Sequence, residues 1–179
     1  MRTEIRMAGF GGQGIITMGR ILGRAAVLYD KLESVLTEDY GPEKVGGWSK
    51  ADLVLSDEEI GYPLVERPDI FVALSQDGYE RYRDTMRPDG RALFEADLVH
   101  PGKGWSQDTT FIPALHTASS LGKKVVANIV MIGALVELTG VVSPEAASRA
   151  ILDSIPKGTE ELNEAAFNKG RELAREGRG

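Results

Sequence analysis

The sequence predicts an α/β fold, a three-layer α/β/α domain with a mainly parallel, Rossmann-like sheet, from three observations. A glycine-rich loop over residues 9–14 follows a short apolar run and precedes a helical pattern. Short apolar strands alternate with helical segments in the front half of the chain, and helices dominate the end. The length of 179 residues suits a single domain, 1–179, with a substantial core.

The individual elements follow from their hydrophobic patterns. Apolar runs and apolar–polar alternation predict strands at residues 3–8, 34–37, 51–56, 69–75, 91–94 and 109–113. Apolar residues at helical spacing predict helices at 14–29, 76–86, 125–138, 144–154 and 158–175. The helix from 125 is apolar enough to be buried. The next helix has a start signal, with Ser143 as N-cap and Pro144 at its first position.

The glycine loop is the most informative motif of the chain. Gly9, Gly11 and Gly14 match the pattern G-x-G-x-x-G, and Gly12 adds a fourth glycine. Glycines allow a tight turn and bring bare backbone N–H groups close to a phosphate, while the helix start adds a partial positive charge. The strand–turn–helix context therefore predicts an anion-binding loop.

Two interpretations of this loop are open. A dinucleotide site requires an acidic residue about 20 residues further on, at the end of the second strand, to hold a ribose hydroxyl. Glu33 and Glu38 are the candidates. In the alternative, the glycines make a tight turn that packs helix on strand, and no nucleotide binds.

A second glycine-rich loop follows the second predicted strand. Its residues are Tyr40, Gly41, Pro42 and Glu43, followed by Gly46 and Gly47. Because loops at the carboxyl ends of parallel strands converge on the ligand crevice of an open sheet, we expect the two loops to face each other. The alternative is an ordinary cluster of turn residues that set backbone angles only.

Composition excludes several kinds of site. The chain has no cysteine, which excludes disulfides, a cysteine nucleophile and an iron–sulfur cluster ligated by this chain. Its two histidines, His100 and His116, argue against a histidine-rich metal site. We see no Ser–His–Asp set, no paired carboxylates and no thiamine diphosphate signature, so we assign no catalytic residue and no metal ligand.

The net charge and the hydropathy pattern limit the kinds of partner that we expect for this protein. A net charge of −6 without a basic stripe argues against nucleic-acid binding. No apolar run reaches the roughly 18 residues of a membrane span, and the N-terminus carries no signal-peptide apolar region. We therefore expect a cytoplasmic protein.

Several motifs occur in series along the chain. They are Gly-Phe-Gly-Gly-Gln-Gly-Ile-Ile at 9–16, Tyr-Gly-Pro-Glu-x-x-Gly-Gly at 40–47, Leu-Ser-Asp-Glu-Glu-Ile at 55–60, the apolar run at 126–134, and Ile-Pro-Lys-Gly-Thr at 155–159. Together they resemble the gamma subunit of 2-oxoacid:ferredoxin (acceptor) oxidoreductases over nearly the whole chain. The resemblance is closer to the 2-oxoglutarate type than to the pyruvate-specific enzymes.

This resemblance implies a subunit of a multisubunit enzyme that converts a 2-oxoacid and coenzyme A to an acyl-CoA and carbon dioxide, with electrons passing to ferredoxin or a similar carrier. It implies thiamine diphosphate on the alpha and beta subunits, iron–sulfur clusters held mainly by other subunits, and a ferredoxin-like delta subunit. The gamma subunit packs on that core and shapes the coenzyme A/substrate cleft. We expect this chain alone to be inactive and to bind no cofactor alone.

The candidate cofactor-binding residues lie in the two loops. They are Gly9, Gly11, Gly12, Gln13, Gly14, Tyr40, Gly41, Pro42, Glu43, Lys44, Gly46 and Gly47. Members of the family commonly carry Arg or Lys directly before the second Gly-Gly, where this chain has Val45. A cation there reaches a phosphate or carboxylate, whereas Val45 cannot. Either Lys44 supplies the charge, or this loop packs against a partner subunit.

Three functions remain: a gamma subunit, a stand-alone NAD- or FAD-binding Rossmann protein, and an interaction module whose loops bind no ligand. The motif series favours the first, and the chain lacks the catalytic domain that a dehydrogenase needs. An isolated gamma-type subunit exposes an apolar partner surface. Trp48, Trp105, Tyr40 and Tyr62 are candidates for it, with local packing as the alternative, and a homodimer of the isolated chain is left open.

Overall fold

The computed structural model describes residues 1–43 and 46–177. Its strands are β1 (Arg2–Phe10), β2 (Glu33–Tyr40), β3 (Trp48–Ser56), β4 (Ile70–Ala73), β5 (Arg91–Glu95) and β6 (Asp108–Ile112). Its helices are α1 (Ile15–Leu28), α2 (Gln76–Tyr82), α3 (Ala114–Ser120), α4 (Ala127–Thr139), α5 (Pro144–Ser154) and α6 (Glu160–Glu176). No helix in these ranges is long and apolar enough to cross a membrane.

One sheet organises the described chain, with strand order β2-β3-β1-β4-β5-β6. The pairs β1–β4, β4–β5 and β5–β6 are parallel, so the predicted mainly parallel sheet is confirmed. Strand β3 was not predicted to run antiparallel, but it pairs antiparallel with both β1 and β2. Since β1 and β2 therefore run in the same direction, the β2–β3 turn lies at the carboxyl end of β1.

The two faces of the sheet are covered unequally. Inward side chains such as Ile5 and Met7 of β1 share one large core with α1, α3, α4, α5 and α6. On the other face, Ala8, Phe71 and Phe94 form a smaller core with Tyr79 of α2. The predicted three-layer α/β/α architecture is confirmed, with a thick layer on one side and a thin one on the other.

Strands β1 and β3 carry a buried ion pair on the thin side. Arg6 and Asp52 lie opposite each other in the ladder and are 5% and 4% exposed. The Arg6 guanidinium donates Nε to Oδ1 at 2.8 Å and Nη2 to Oδ2 at 2.9 Å, and it also donates to the carbonyl of Val65. Because these hydrogen bonds satisfy both side chains, a charged residue such as Asp52 can occupy a buried position within an apolar strand.

Three local features differ from the predicted elements. Helix α2 ends at Tyr82 and continues as a 3-10 turn over Arg83–Thr85. A second 3-10 turn, Lys124–Val126, precedes α4, whose predicted burial is confirmed. Helix α3 was not predicted, because it is short and its start is stabilised from a distance. The Glu95 carboxylate, at the end of β5, accepts from the Leu115 N–H at 3.0 Å.

Helices α4 and α6 touch backbone to backbone. A Cβ on Gly133 of α4 would fall on the carbonyl of Phe167, and a Cβ on Gly170 of α6 would fall on the carbonyl of Val130. Further along, Glu137 of α4 accepts hydrogen bonds from Arg171 and Arg175 of α6. From the crossing of Gly133 and Gly170 to the Glu137–Arg175 pair, the contacts advance towards the C-termini of both helices, so the two helices run in the same direction.

Gly170→Ala should destabilise the protein. Alanine improves helix propensity by about 1 kcal/mol, but overpacking a rigid contact costs about 1–3 kcal/mol or more. The packing cost should dominate, because the methyl group meets a backbone carbonyl that cannot rotate away. We expect a lower midpoint in urea unfolding. Gly61→Ala is the control, since that glycine is exposed with open space around it, and an equal midpoint for both variants would contradict the contact.

The hydrogen bonds that Glu137 accepts from Arg171 and Arg175 should make the free energy of unfolding depend on pH. Hydrogen bonds from Arg175 and Arg171 lower the pKa of Glu137 from 4.5 to about 2. A carboxylate with a depressed pKa stabilises the fold above its unfolded value and loses that contribution as the pH falls. Glu137→Gln should therefore lower the unfolding midpoint at pH 7, and its difference from wild type should shrink between pH 4.5 and about 2.

The exposed Glu164→Gln on α6 removes the same charge and serves as the control. A Glu137→Gln deficit that stays constant from pH 7 down to pH 2 would contradict the role of the carboxylate charge.

Candidate ligand cleft

The two glycine loops meet at the carboxyl end of β1, as the sequence predicted. The Gly11 N–H donates to the carbonyl of Gly47 at 2.6 Å. Gly12 has a φ of 93° and Gly14 a φ of 76°, both in the left-handed region that favours glycine. The N–H groups of Gly12 and Gly14 donate to no described residue. The loop therefore presents free backbone donors at the start of α1.

A cleft of 620 Å³ opens beside this contact. One wall is the glycine loop with the first turn of α1, and a second is the β2–β3 hairpin around Tyr40, Glu43 and Trp48. A third wall is the start of α4 with the preceding Lys123. The connector from α5 to α6 and the first turn of α6 close the cleft. An elongated organic molecule has room here, since ligand sites commonly span 300–1,000 Å³.

The predicted cofactor-binding residues divide into two groups. Those that line the cleft are Gly11, Gly12, Gly14, Tyr40, Glu43 and Gly47. Those that lie outside its lining are Gly9, Gln13, Gly41, Pro42 and Gly46. Lys44, like Val45, lies outside the described residues.

Gln13 has a structural position within the loop. Its Oε1 accepts from the Phe10 N–H at 2.6 Å, and its Nε2 donates to the Leu74 carbonyl at 2.8 Å. The side chain thus joins the glycine loop to the end of β4. There is no room for a side chain at Gly9, because a Cβ there would meet the side chains of Gln13 and Ile15.

The acidic candidates for a ribose contact are placed elsewhere. Both carboxylate oxygens of Glu38 accept hydrogen bonds from the Arg20 guanidinium of α1, at 2.8 and 3.0 Å. Glu33 is the first residue of β2, so it lies at the opposite end of the strands from the glycine loop. Neither carboxylate is among the cleft residues, which removes the feature that the dinucleotide interpretation required.

The hairpin wall carries both charge and an aromatic ring. The Glu43 carboxylate folds back over the hairpin, 2.8 Å from the point that a Cβ on Gly47 would occupy. The Arg81 guanidinium of α2 lies 5.4 Å from the centre of the Trp48 ring and within electrostatic range of Glu43. Arg81 itself is hydrogen-bonded to Asp77 of its own helix at 2.7 Å, so it is not a dedicated partner of Glu43.

The other walls contain residues that sequence reasoning did not select. Asn128, the second residue of α4, is 7% exposed and lines the cleft. Asn163 of α6 lines it as well. The sequence shows Asn128 as an asparagine within a strongly apolar helix, which marks it as unusual. Whether it lines the cleft depends on how the helices pack at the carboxyl ends of the strands, and the sequence does not show that packing.

Of the remaining candidate residues, Tyr40 and Trp48 line the cleft, whereas Trp105, Tyr62 and His116 do not. Trp105 packs edge-on against Tyr79, with ring centres 5.3 Å apart, so its local-packing alternative holds. Tyr40 and Tyr62 are exposed, at 66% and 50%, and Trp48 is half-buried. His116 is exposed on α3. Within the described ranges, no group of three or more His, Asp or Glu side chains could hold a metal ion.

Comparison with known proteins identifies the family. Residues 4–173 match the model of the pyruvate ferredoxin/flavodoxin oxidoreductase family. The chain belongs to this family. The 2-oxoglutarate synthase subunit KorC of Methanocaldococcus jannaschii is 54% identical, over 98% of this chain and 96% of its own length.

Solved structures of the oxidoreductase family share the fold. The gamma subunit of a keto/oxoacid ferredoxin oxidoreductase from Geobacter sulfurreducens superposes with a TM-score of 0.90, 39% identity and 99% and 98% coverage of the two chains. A 2-oxoglutarate:ferredoxin oxidoreductase from Magnetococcus marinus, with 2-oxoglutarate, coenzyme A and succinyl-CoA bound, matches with a TM-score of 0.85 and 25% identity. That match covers 98% of this chain and 31% of the other. The predicted resemblance to the gamma subunit, nearest the 2-oxoglutarate type, is confirmed.

Gln13→Ala should loosen the glycine loop without unfolding the protein. The Phe10 N–H and the Leu74 carbonyl lose their partner, and because water can reach the loop we expect a loss of only about 1 kcal/mol. Hydrogen exchange of the Phe10 amide should become faster. Gln107→Ala is the control, because within the described chain the Gln107 side chain accepts from the adjacent Ser106 N–H and bridges no separate segments. An unchanged Phe10 exchange rate would show that Gln13 does not hold the loop.

Proposed function

We propose that this chain is the gamma subunit of a multisubunit 2-oxoacid:ferredoxin oxidoreductase that acts on 2-oxoglutarate. The complex converts the 2-oxoacid and coenzyme A to an acyl-CoA and carbon dioxide and passes electrons to ferredoxin. The observation that carries this proposal is the match to a 2-oxoglutarate synthase subunit over almost the full length of both chains. The same fold forms part of the Magnetococcus marinus enzyme that holds 2-oxoglutarate and coenzyme A.

The role of this chain within the complex is to bind and position coenzyme A and substrate, because we identify in it no groups that would carry out decarboxylation. It has no cysteine to ligate an iron–sulfur cluster. The described part has no metal-binding cluster, and His116 lies exposed, away from the cleft. Thiamine diphosphate and the clusters belong, in this proposal, to the alpha, beta and ferredoxin-like delta subunits.

The glycine cleft forms the coenzyme A side of the complete active site. Its free N–H groups at Gly12 and Gly14 and the uncapped start of α1 are suited to a negatively charged, elongated ligand. The 620 Å³ volume accommodates part of such a molecule. The stand-alone dinucleotide protein is disfavoured, because Glu38 is engaged by Arg20.

Exposed apolar side chains around the cleft form the surface that meets the thiamine subunits. Phe10 at the end of β1 is 41% exposed, Tyr40 at the end of β2 is 66% exposed, and Val125 before α4 is 73% exposed. Tyr40 and Val125 line the cleft, and Phe10 directly precedes Gly11, which also lines it. Apolar groups gathered around a ligand site are typical of a surface that a partner covers.

Activity should require the assembled complex. The purified chain with thiamine diphosphate, coenzyme A and 2-oxoglutarate should show no turnover, since it lacks the groups that perform the reaction. Adding it to alpha, beta and delta subunits that lack gamma should restore coenzyme A-dependent reduction of ferredoxin. Bovine serum albumin at equal concentration is the control for unspecific stabilisation. Turnover by the purified chain, or full activity without it, would overturn the proposal.

A further inference from the structure

The segment 57–67, between β3 and β4, carries two exposed apolar side chains that the glycine cleft does not use. Tyr62 is 50% exposed and Leu64 is 51% exposed, whereas Val65, next in the chain, is buried. Neither exposed side chain is among the residues that line the cleft. The segment continues the motif at 55–60, so part of the motif series lies away from the cleft.

This segment is held in place from the inside by two arginines of β1. Arg2 donates to the Tyr62 carbonyl at 2.8 Å. The buried Arg6 donates to the Val65 carbonyl at 2.6 Å. The Tyr62 hydroxyl donates to the Glu66 carboxylate at 2.7 Å. Apolar side chains on a fixed backbone lose little conformational entropy when a partner covers them, so the two exposed side chains are preorganised for contact.

Beside the segment, a groove of 400 Å³ opens over the thin side of the sheet. Tyr62 and Leu64 form one wall, and the floor consists of Thr37 of β2, Lys50 of β3 and Arg6 of β1. Helix α2 belongs to the smaller core over β1, β4 and β5, and no residue of β2 is fully buried. The groove is therefore an uncovered part of the sheet face, with room for side chains of a partner.

The rim of this thin-side groove is negatively charged. One carboxylate at the floor engages both cations of the lining, since Asp52 binds Arg6 at 2.8 Å and Lys50 at 3.2 Å. Asp39, opposite Lys50 in the ladder, has no side-chain hydrogen bond or ion pair with any described residue. Glu66 accepts a hydrogen bond from the tyrosine of the wall and has no cationic partner in the described chain. Two exposed carboxylates thus lie beside the apolar wall.

The charge of the surroundings indicates what kind of partner fits. The segment 57–67 contains four acidic side chains and one basic side chain, and the whole chain has a net charge of −6. A second copy of this chain would bring like charge to the groove, which disfavours a homodimer through this face. A partner that supplies lysine or arginine together with apolar side chains matches both the charge and the exposed wall.

The thin-side groove is continuous with the apolar surface around the glycine cleft. Asp39 directly precedes Tyr40, which lines the cleft and is exposed. The two residues lie on opposite faces of the same strand, because successive side chains of a strand alternate. A partner that covers the cleft rim can therefore reach around the end of β2 into the groove.

We propose that the thin-side groove docks a basic segment of one of the thiamine diphosphate subunits. A lysine or arginine side chain of that segment binds between Asp39 and Glu66, its stem packs on the Tyr62 ring, and an apolar neighbour covers Leu64. The identity of the partner rests on the proposed function. The buried Arg6 supports the groove from below, because it binds both its floor and its wall.

The test measures binding of the full chain to the assembled alpha, beta and delta subunits by biolayer interferometry. Glu66→Lys should weaken binding about a hundredfold and Asp39→Asn about tenfold, because a cation of the partner is repelled or loses an attractive charge. Raising the salt concentration should weaken wild-type binding more than binding of either variant. Glu164→Lys, on the exposed side of α6, makes the same charge change away from the groove and should bind like wild type.

The apolar wall is tested separately with Leu64→Ser. Binding should weaken about tenfold at every salt concentration, since the substitution removes an apolar contact and changes no charge. Val27→Ser on α1 is the matched control, because Val27 is 48% exposed and does not line the groove. Thermal unfolding should show all these variants to be as stable as wild type, which separates docking from folding.

The outcomes distinguish this inference from the proposed function. Unchanged binding in Glu66→Lys and Leu64→Ser, or an equal loss in Glu164→Lys, would overturn the docking groove, while turnover that requires this chain would still stand. Binding that is lost in Glu66→Lys, in a complex that shows no turnover with the wild-type chain, would support the groove and contradict the proposed enzyme. A wild-type chain that sediments as a dimer, with Glu66→Lys a monomer, would show that a second copy occupies the groove and would overturn the assigned partner.

Discussion

The contact between the Gly11 N–H and the Gly47 carbonyl is the constraint on which the cleft depends. It joins the loop after β1 to the turn between β2 and β3, and it forms only because β3 runs antiparallel between two strands of the same direction. On the hairpin side the contact needs a glycine, since a Cβ on Gly47 would meet the side chain and carbonyl of Glu43. Gly47 therefore serves the close folding of the hairpin as well as the contact between the loops.

The uneven coverage of the sheet gives the two faces different roles. The thick side supplies three of the four cleft walls, through α1, α4 and the α5–α6 connector. The thin side supplies the support behind the hairpin, where Arg81 of α2 stacks on Trp48. A buried Arg6–Asp52 pair fixes the register of β1 and β3 on that side, because a one-residue shift would leave both charges unpaired.

The sequence allowed the fold class, most element positions and the meeting of the two loops to be predicted, because these depend on local pattern and on the rule for parallel sheet edges. It did not reveal the antiparallel direction of β3, since alternation is the same for either direction. It missed α3, whose first turn is stabilised by Glu95 from another strand. It also missed Asn128, which becomes a cleft residue only when α4 is placed against the glycine loop. Gln13 was assigned to ligand contact by motif alone, yet both ends of its amide bind the backbone.

The glycine contact between α4 and α6 has a mechanical consequence. Helices that touch through their backbones and are locked by Glu137 cannot slide past each other, so they move as one rigid body. The starts of both helices form adjacent walls of the cleft, and their spacing is therefore fixed before any ligand arrives. A change in the width of the cleft therefore cannot come from α4 sliding against α6, and a ligand meets this pair of walls already in place.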